Sequence, residues 1–418
     1  MQSSRGRSFS GLGVVSYIIA SLFLLYEMAV QVSPSVMVPQ LMSELHINSA
    51  TLGFMASTYF WSYTIMQMPV GLLYDRFSAK TLLMIAILLV SSGILFFATT
   101  HWVSTLALGR FLMGLGSAFA FVGVLMTAAR WFSRTHFAFL VGVAQLLAAV
   151  GAASGEGPLS LLVNAEGWRH AALILSVVGF MLFLAVAVFM RRHPDEGVDK
   201  KDLSWSKVWA SFRHVLRVKQ MWWIALYAFF SWGPITIFTS MWGVPYLMER
   251  FAITNTEASW VCAMTWGFLA ITSPLIGGLS NRISALLLMQ WTALVGFAGA
   301  AAMLYWPGLS LWGAYVAAAA IGVGAAGQIL SFEVVRQQRL QDDLGFSIGF
   351  TNMGVVASGA TLQPLSAWLL HTRAGDHTAT AIEQFHTSDF QYALFLVPLI
   401  FVFCFLLARF VIKEPKVC

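Results

Sequence analysis

Three ionisable side chains stand inside long apolar runs: Glu27, Arg110 and Glu156. A charge at the centre of a membrane helix costs at least about 2.5–3.5 kcal/mol on insertion scales, so each needs a reason. A guanidinium can bind a carboxylate through two parallel hydrogen bonds. A buried carboxylate can bind an amine or carry a proton, and its surroundings decide which. One base with two acids suits a zwitterion, its carboxylate on Arg110 and its amino group on Glu156 or Glu27. The other acid is then free to titrate. Glu27 has no base in its own run and is the preferred proton carrier, with Glu156 the second. The structural alternative is an Arg110–Glu156 salt bridge that only holds helices together. Tyr26, Tyr59, Tyr63 and Gln145 in the first half, and Trp232, Gln328, Asn352 and Gln363 in the second, complete the candidate site. Each of these is equally readable as a packing residue. Gln328 and Asn352 lie in glycine-rich runs that should line a cavity.

The elements that hold these residues follow from composition. The chain has 418 residues, of which 58% are hydrophobic and 10% charged. Soluble proteins carry about 25% charged residues. A spanning helix needs about 20 apolar residues, and about twelve such runs fill most of the chain. Span 1 is expected over roughly 13–37, span 5 over 137–163 and span 6 over 168–190. Span 7 is expected over roughly 222–248 and span 10 over 309–335. The predicted fold is all-α, with no soluble domain and no enzyme signature.

A net charge of +6 could suggest nucleic acid, but its placement argues for a bilayer. Basic residues gather in alternate loops, around Arg5, Arg76, Arg130, Arg191–Lys219, Arg282, Arg336 and Arg409, while the others hold only Arg169, Arg250 and Arg373. This positive-inside bias places both termini in the cytoplasm. Cys262, Cys404 and Cys418 imply no disulfide framework. The first apolar run is too long for a signal peptide's core and reads as a retained span.

The chain repeats itself. Gly71, Asp75 and Arg76 in GLLYDRFSAK return as Gly277, Asn281 and Arg282, and Pro158 returns as Pro364, all at an offset of 206. The expected organisation is a six-helix bundle over 1–190, a cytoplasmic linker over 191–220, and a second bundle over 221–418. Trp205, Val208, Trp209, Phe212, Val215 and Leu216 give the linker an amphipathic helix that either lies on the membrane surface or packs on the protein. His371, His377 and His386 fall irregularly in a polar loop and read as solvated rather than as a metal site.

GLLYDRFSAK resembles the loop between spans 2 and 3 of the major facilitator superfamily, and GRFLMGLG, with Arg110, Gly114 and Gly116, resembles its span-4 motif. Ser78 and Ala79 stand where the loop usually has glycine and arginine. YFWSYTIMQMPVGLLYDR, AARWF, GEGPL and MWGVPYL look like the phagosomal transporter family, importers of amino acids or nucleosides. YFWSY with QMPVGLLYDR is also similar to the organic anion symporters, although Met28 stands where those commonly carry a basic residue. The resemblance implies twelve spans in two pseudo-symmetric bundles around a midplane site with alternating access. Spans 1, 4 and 5 would then turn Glu27, Arg110 and Glu156 into one wet cavity.

The same resemblance implies an inner gate in which Gly71, Asp75 and Arg76 meet Arg130. In the second half, Glu333 and Arg336 would supply the charge pair for Arg282. The expected function is proton-coupled import of a small polar nutrient, an amino acid first, through a bacterial inner membrane. It needs no cofactor beyond the proton gradient, no nucleic acid and no partner beyond lipid and substrate, and the monomer suffices. The rivals are an organic anion or polycarboxylate siderophore symporter, a nucleoside importer and an efflux antiporter. A polycarboxylate would need more buried bases than Arg110, and the single proline of GEGP tilts against an exporter.

Overall fold

The computed structural model describes residues 11–132, 134–192, 213–280, 282–338, 344–373 and 385–413; for residues 68, 72, 75, 76, 134–139, 141, 142, 344 and 345 it describes the backbone alone. Ten helical stretches are long and apolar enough to cross a membrane. One of them, Val143–Phe189, belongs to a helix that turns back at Gly167, where φ is +81°, and so crosses twice as spans 5 and 6. Ser49–Arg76 (span 2) is less apolar but lies packed within the bundle, and it completes the twelve. Span 1 is divided into Gly11–Val32 and Pro34–Leu45. Spans 3 and 4 are Ala79–Thr99 and Val103–Trp131. Span 7 runs Lys219–Phe251, with a π-helical stretch at Ile235–Trp242. Span 8 is Asn255–Leu279 and span 9 Ala285–Tyr305. Span 10 runs Leu311–Gln337 and is interrupted at Gly327 and Gln328. Spans 11 and 12 are Leu344–Arg373 and Thr387–Val411. The surface helix expected at Trp205–Phe212, Asn281 and His377 lie outside the described residues.

Side chains start several spans. Asn48, Ser78 and Ser310 each accept a hydrogen bond from the third backbone N–H ahead, and Thr254 and Glu257 form a reciprocal capping box. Within the membrane, small residues set the spacing. A methyl added to Gly93 would meet the Gly109 carbonyl at 2.6 Å, and one added to Gly299, 206 residues on, would meet the Ala317 carbonyl at 2.7 Å. Spans 3 and 4 therefore cross as spans 9 and 10 do. The tightest approach joins spans 2 and 4, where a Cβ on Gly114 would lie 1.9 Å from the Tyr59 carbonyl.

Spans 1 to 6 pack on one another, as do spans 7 to 12, and the halves meet where span 2 faces span 11, span 5 faces span 8, and the second helix of span 1 faces span 7. Among the described residues, four hydrogen bonds cross this seam. Ser49 Oγ donates to the Ala367 carbonyl (3.3 Å), Asn164 Nδ2 to Thr256 Oγ (2.9 Å), Asn255 Nδ2 to the Val36 carbonyl (3.0 Å) and Asn352 Nδ2 to Gln67 Oε1 (2.7 Å). The first three lie at span ends on the face opposite the termini. No hydrogen bond crosses the seam at the terminal face among the described residues. Among the described residues the two halves are tied at three points on the opposite face.

That face also explains two of the three basic residues expected there. Arg169 donates to the Ala98 and Thr100 carbonyls at the end of span 3 and to Glu44 Oε1 at 2.6 Å. Trp168 Nε1 donates to the other oxygen of the same carboxylate, Glu44 Oε2, at 2.5 Å. Arg250 donates to the Leu304 and Trp306 carbonyls at the end of span 9. Those carbonyls stand 206 residues beyond the pair that Arg169 caps.

Gly114→Ala is expected to cost about 1–3 kcal/mol of unfolding free energy, because spans 2 and 4 must part. Gly267→Ala, where a methyl meets nothing within 4 Å, should be neutral or stabilising. Thermal unfolding of the two purified variants in one detergent checks the pair, and equal midpoints would refute the close-approach account.

Candidate functional site

The site grows from the break in span 1. Pro34 has no N–H, so the Val30 carbonyl loses its ordinary helical donor. In hydrocarbon no water replaces it, and another protein group must. Ser33 Oγ donates to the Val30 carbonyl at 2.9 Å and Arg110 Nη1 at 3.2 Å, while Arg110 Nη2 reaches the Gln31 carbonyl at 3.4 Å. Arg110 thus crosses from span 4 to satisfy the broken helix. Its side chain is buried, and its Nε has no partner.

The same guanidinium lies over the Tyr59 ring, 4.6 Å from the centroid. Such a cation is attracted to the ring face by about 2 kcal/mol or more once desolvated. The Tyr59 hydroxyl donates to Glu27 Oε1 at 2.6 Å, and Tyr63 abuts Tyr59 edge-on. Glu27 is fully buried, with Oε2 unpartnered. Spans 1, 2 and 4 thereby place an acid, a phenol and a base in one line. A small pocket beside Arg110, bordered by Val30, Ser33, Pro34, Ile94 and Phe97, lies inside the first bundle, between spans 1, 3, 4 and 6.

Glu156 departs from its expected place beside Arg110. No ion pair joins the two among the described residues. Instead Ser35 Oγ contacts Glu156 Oε2 at 2.8 Å, and Oε1 has no partner. The base and the acid meet the same break from its two sides, Arg110 before Pro34 and Glu156 after it. Both Arg110 Nη atoms serve backbone carbonyls.

The second bundle echoes this. The π stretch Ile235–Trp242 lies 206 residues beyond 29–36, the segment that holds the break. Gln363 Nε2 donates to the Thr236 carbonyl at 3.0 Å, and Trp242 Nε1 donates to Ser366 Oγ at 3.1 Å. In each half a polar side chain just before the proline of span 5 or span 11 serves the irregular helix of span 1 or span 7.

The remaining candidates divide. Tyr26 donates to the Leu175 carbonyl within the first bundle, and Gln145 is exposed. Gln328 is half-buried at the interruption of span 10, and Trp232 packs edge-on against Trp266. Asn352 bridges the seam to Gln67. Of the gate residues, Asp75 and Arg76 have side chains outside the described residues, and Gly71 is exposed. Arg130 Nη2 donates to the Tyr74 carbonyl at 2.5 Å. Ser78, the departure from the family's loop, caps span 3. Glu333 and Arg336 pair at 2.7 Å, but no ion pair extends to Arg282 among the described residues. Sequence reasoning missed Ser35, Gln67 and the consequence of Pro34. The proline itself was the available signal.

Residues 19–339 match the Major Facilitator Superfamily model, which is most of the chain. A probable sulfoacetate transporter of Cupriavidus necator is 26% identical over 43% of this chain and 42% of its own length. A probable galactarate/D-glucarate transporter of Bacillus subtilis is 25% identical over 64% of each. The chain thus matches less than two thirds of the length of either relative. In fold it is similar to a bacterial homologue of the human lysosomal transporter Spinster, crystallised inward-facing and unoccupied, with TM-score 0.75, 15% identity, and coverage of 98% of this chain and 99% of that one. The chain belongs to the major facilitator superfamily. The relatives that it matches are named as transporters.

If Arg110 answers the carbonyls that Pro34 orphans, the two positions are coupled. In thermal or denaturant unfolding, Arg110→Gln should cost less in a Pro34→Ala background than alone, with an interaction energy of about 1 kcal/mol or more. Additive effects would rule this coupling out.

Proposed function

We propose that this member of the superfamily carries a small carboxylate-bearing solute, an organic acid first, across a bacterial inner membrane in symport with protons, its termini in the cytoplasm. The observation that carries the reading is the buried line Glu27–Tyr59–Arg110. Arg110 gives the first bundle a positive charge that no acid neutralises by direct contact among the described residues, and an arriving anion is drawn to such a charge. Glu27, one hydrogen bond away through Tyr59, is the carboxyl whose proton travels with the solute. A charge added to or taken from one end of the line is felt at the other, since buried charges are screened little.

The choice of solute within this reading rests on two supports. Two relatives are named for organic acids. An amino acid would need a carboxylate beside Arg110 for its ammonium, and Glu156 is engaged with Ser35 instead. The single buried base favours a ligand engaged through one carboxylate over a polycarboxylate siderophore. The seam hydrogen bonds on the face opposite the termini fit one state of an alternating-access cycle.

The test is uptake into proteoliposomes under an imposed pH gradient, with sulfoacetate, glucarate and a panel of amino acids as solutes. Organic acids should accumulate and compete, and Glu27→Gln should abolish gradient-driven accumulation while leaving solute counterflow within about threefold. Accumulation that survives in Glu27→Gln would remove its proton role. Competition by amino acids alone would return the solute class to the zwitterion.

A further inference from the structure

Ser35 sits between two acceptors. Its Oγ is 2.9 Å from the Val32 carbonyl and 2.8 Å from Glu156 Oε2. A serine hydroxyl has one hydrogen to donate. With Glu156 ionised, one of these contacts brings two acceptors together without a hydrogen between them. With Glu156 protonated, the carboxyl donates to Ser35 Oγ, and Ser35 donates to the Val32 carbonyl, so both contacts are hydrogen bonds. The conformation tied on the opposite face shows both distances, and this is the geometry of a proton-bearing carboxyl.

That carboxyl abuts the seam. The carbonyl of Val36, next after Ser35, receives Asn255 of span 8, and Gly157, next after Glu156, lies under the Trp260 indole, where a Cβ would fall 2.8 Å from the ring. We propose that Glu156 is a proton site distinct from Glu27, and that its proton closes the seam on the opposite face by completing the Glu156–Ser35–Val32 chain. Loss of that proton leaves an ionised carboxyl in a dry contact, and opening the seam to water relieves it. The titratable and charged groups on the packed elements are Tyr17, Tyr26 and Glu27 of span 1, Glu44 of its second helix, Arg110 and Arg130 of span 4, and Glu257 and Cys262 of span 8. No ion pair joins Glu156 to any of them among the described residues. The inference rests on the alternating-access reading above, but not on the identity of the solute.

Trp102 and Trp312 are both strongly exposed, one in each half, at the start of spans 4 and 10 on the opposite face. Spin labels on Trp102→Cys and Trp312→Cys, in a Cys418→Ser background with the buried Cys262 and Cys404 retained, report the opening in lipid nanodiscs. As pH falls, the closed-to-open ratio should rise, by up to about tenfold per unit for one proton. Glu156→Gln, whose amide donates to Ser35 as the protonated acid does, should be closed at every pH, and Ser35→Ala should lose the response as well. A normal response in Glu156→Gln or in Ser35→Ala would overturn the proposal. A distance that moves with neither pH nor solute in any variant would overturn the alternating-access reading with it.

Discussion

Backbone carbonyls that lose their helical donor inside a membrane have nowhere else to turn, and the first bundle is built around that fact. Pro34 leaves the Val30 carbonyl without its N–H. A polar group left unsatisfied in hydrocarbon costs several kcal/mol. Arg110 answers by crossing from span 4, and this fixes where the guanidinium lies. Its position over Tyr59 follows, and the tyrosine hydroxyl in turn fixes Glu27. On the far side of the break, Ser35 is left to meet Glu156. One missing hydrogen thus organises the ionisable residues of spans 1, 2, 4 and 5.

The second bundle meets the same problem with neutral groups. Span 7 passes through a π stretch where span 1 breaks, and Gln363 serves it where Glu156 serves span 1. Charge is therefore concentrated in the first half, while the second offers amides, hydroxyls and indoles. A protein in which one half titrates and the other chiefly closes upon it fits this distribution. The seam contacts agree, since Asn255 and Trp260 of span 8 face the segments that carry Ser35 and Glu156.

Much of this was legible in the chain. Apolar run length announces spans directly, and the 206-residue offset read from four pairs of residues reappears in the matched crossings at Gly93 and Gly299. Burial of Glu27, Arg110 and Glu156 followed from the cost of charge in lipid. Their partners did not. Which side chain answers the Val30 carbonyl depends on the rotation of span 4 about its axis, and a nearly uniform apolar helix carries little periodicity to reveal it. The same ambiguity hid that Gln145 is exposed and that Tyr26 points at span 6. The π stretch of span 7 has no composition of its own and shows itself only through the hydrogen bonds that Gln363 and Trp242 supply.

The two arginines that cap spans 3 and 9 reach equivalent carbonyls from inequivalent places. Arg169 stands at the start of span 6, and Arg250 at the end of span 7. One peripheral helix is thus riveted to the sixth span of its bundle and the other to the first of its own. Halves that descend from one pattern are in this respect different machines, stiffened along different edges. Under the proposed alternating access, bending should be shared unequally between them, and the pseudo-twofold axis describes the resting shape better than it would describe the motion.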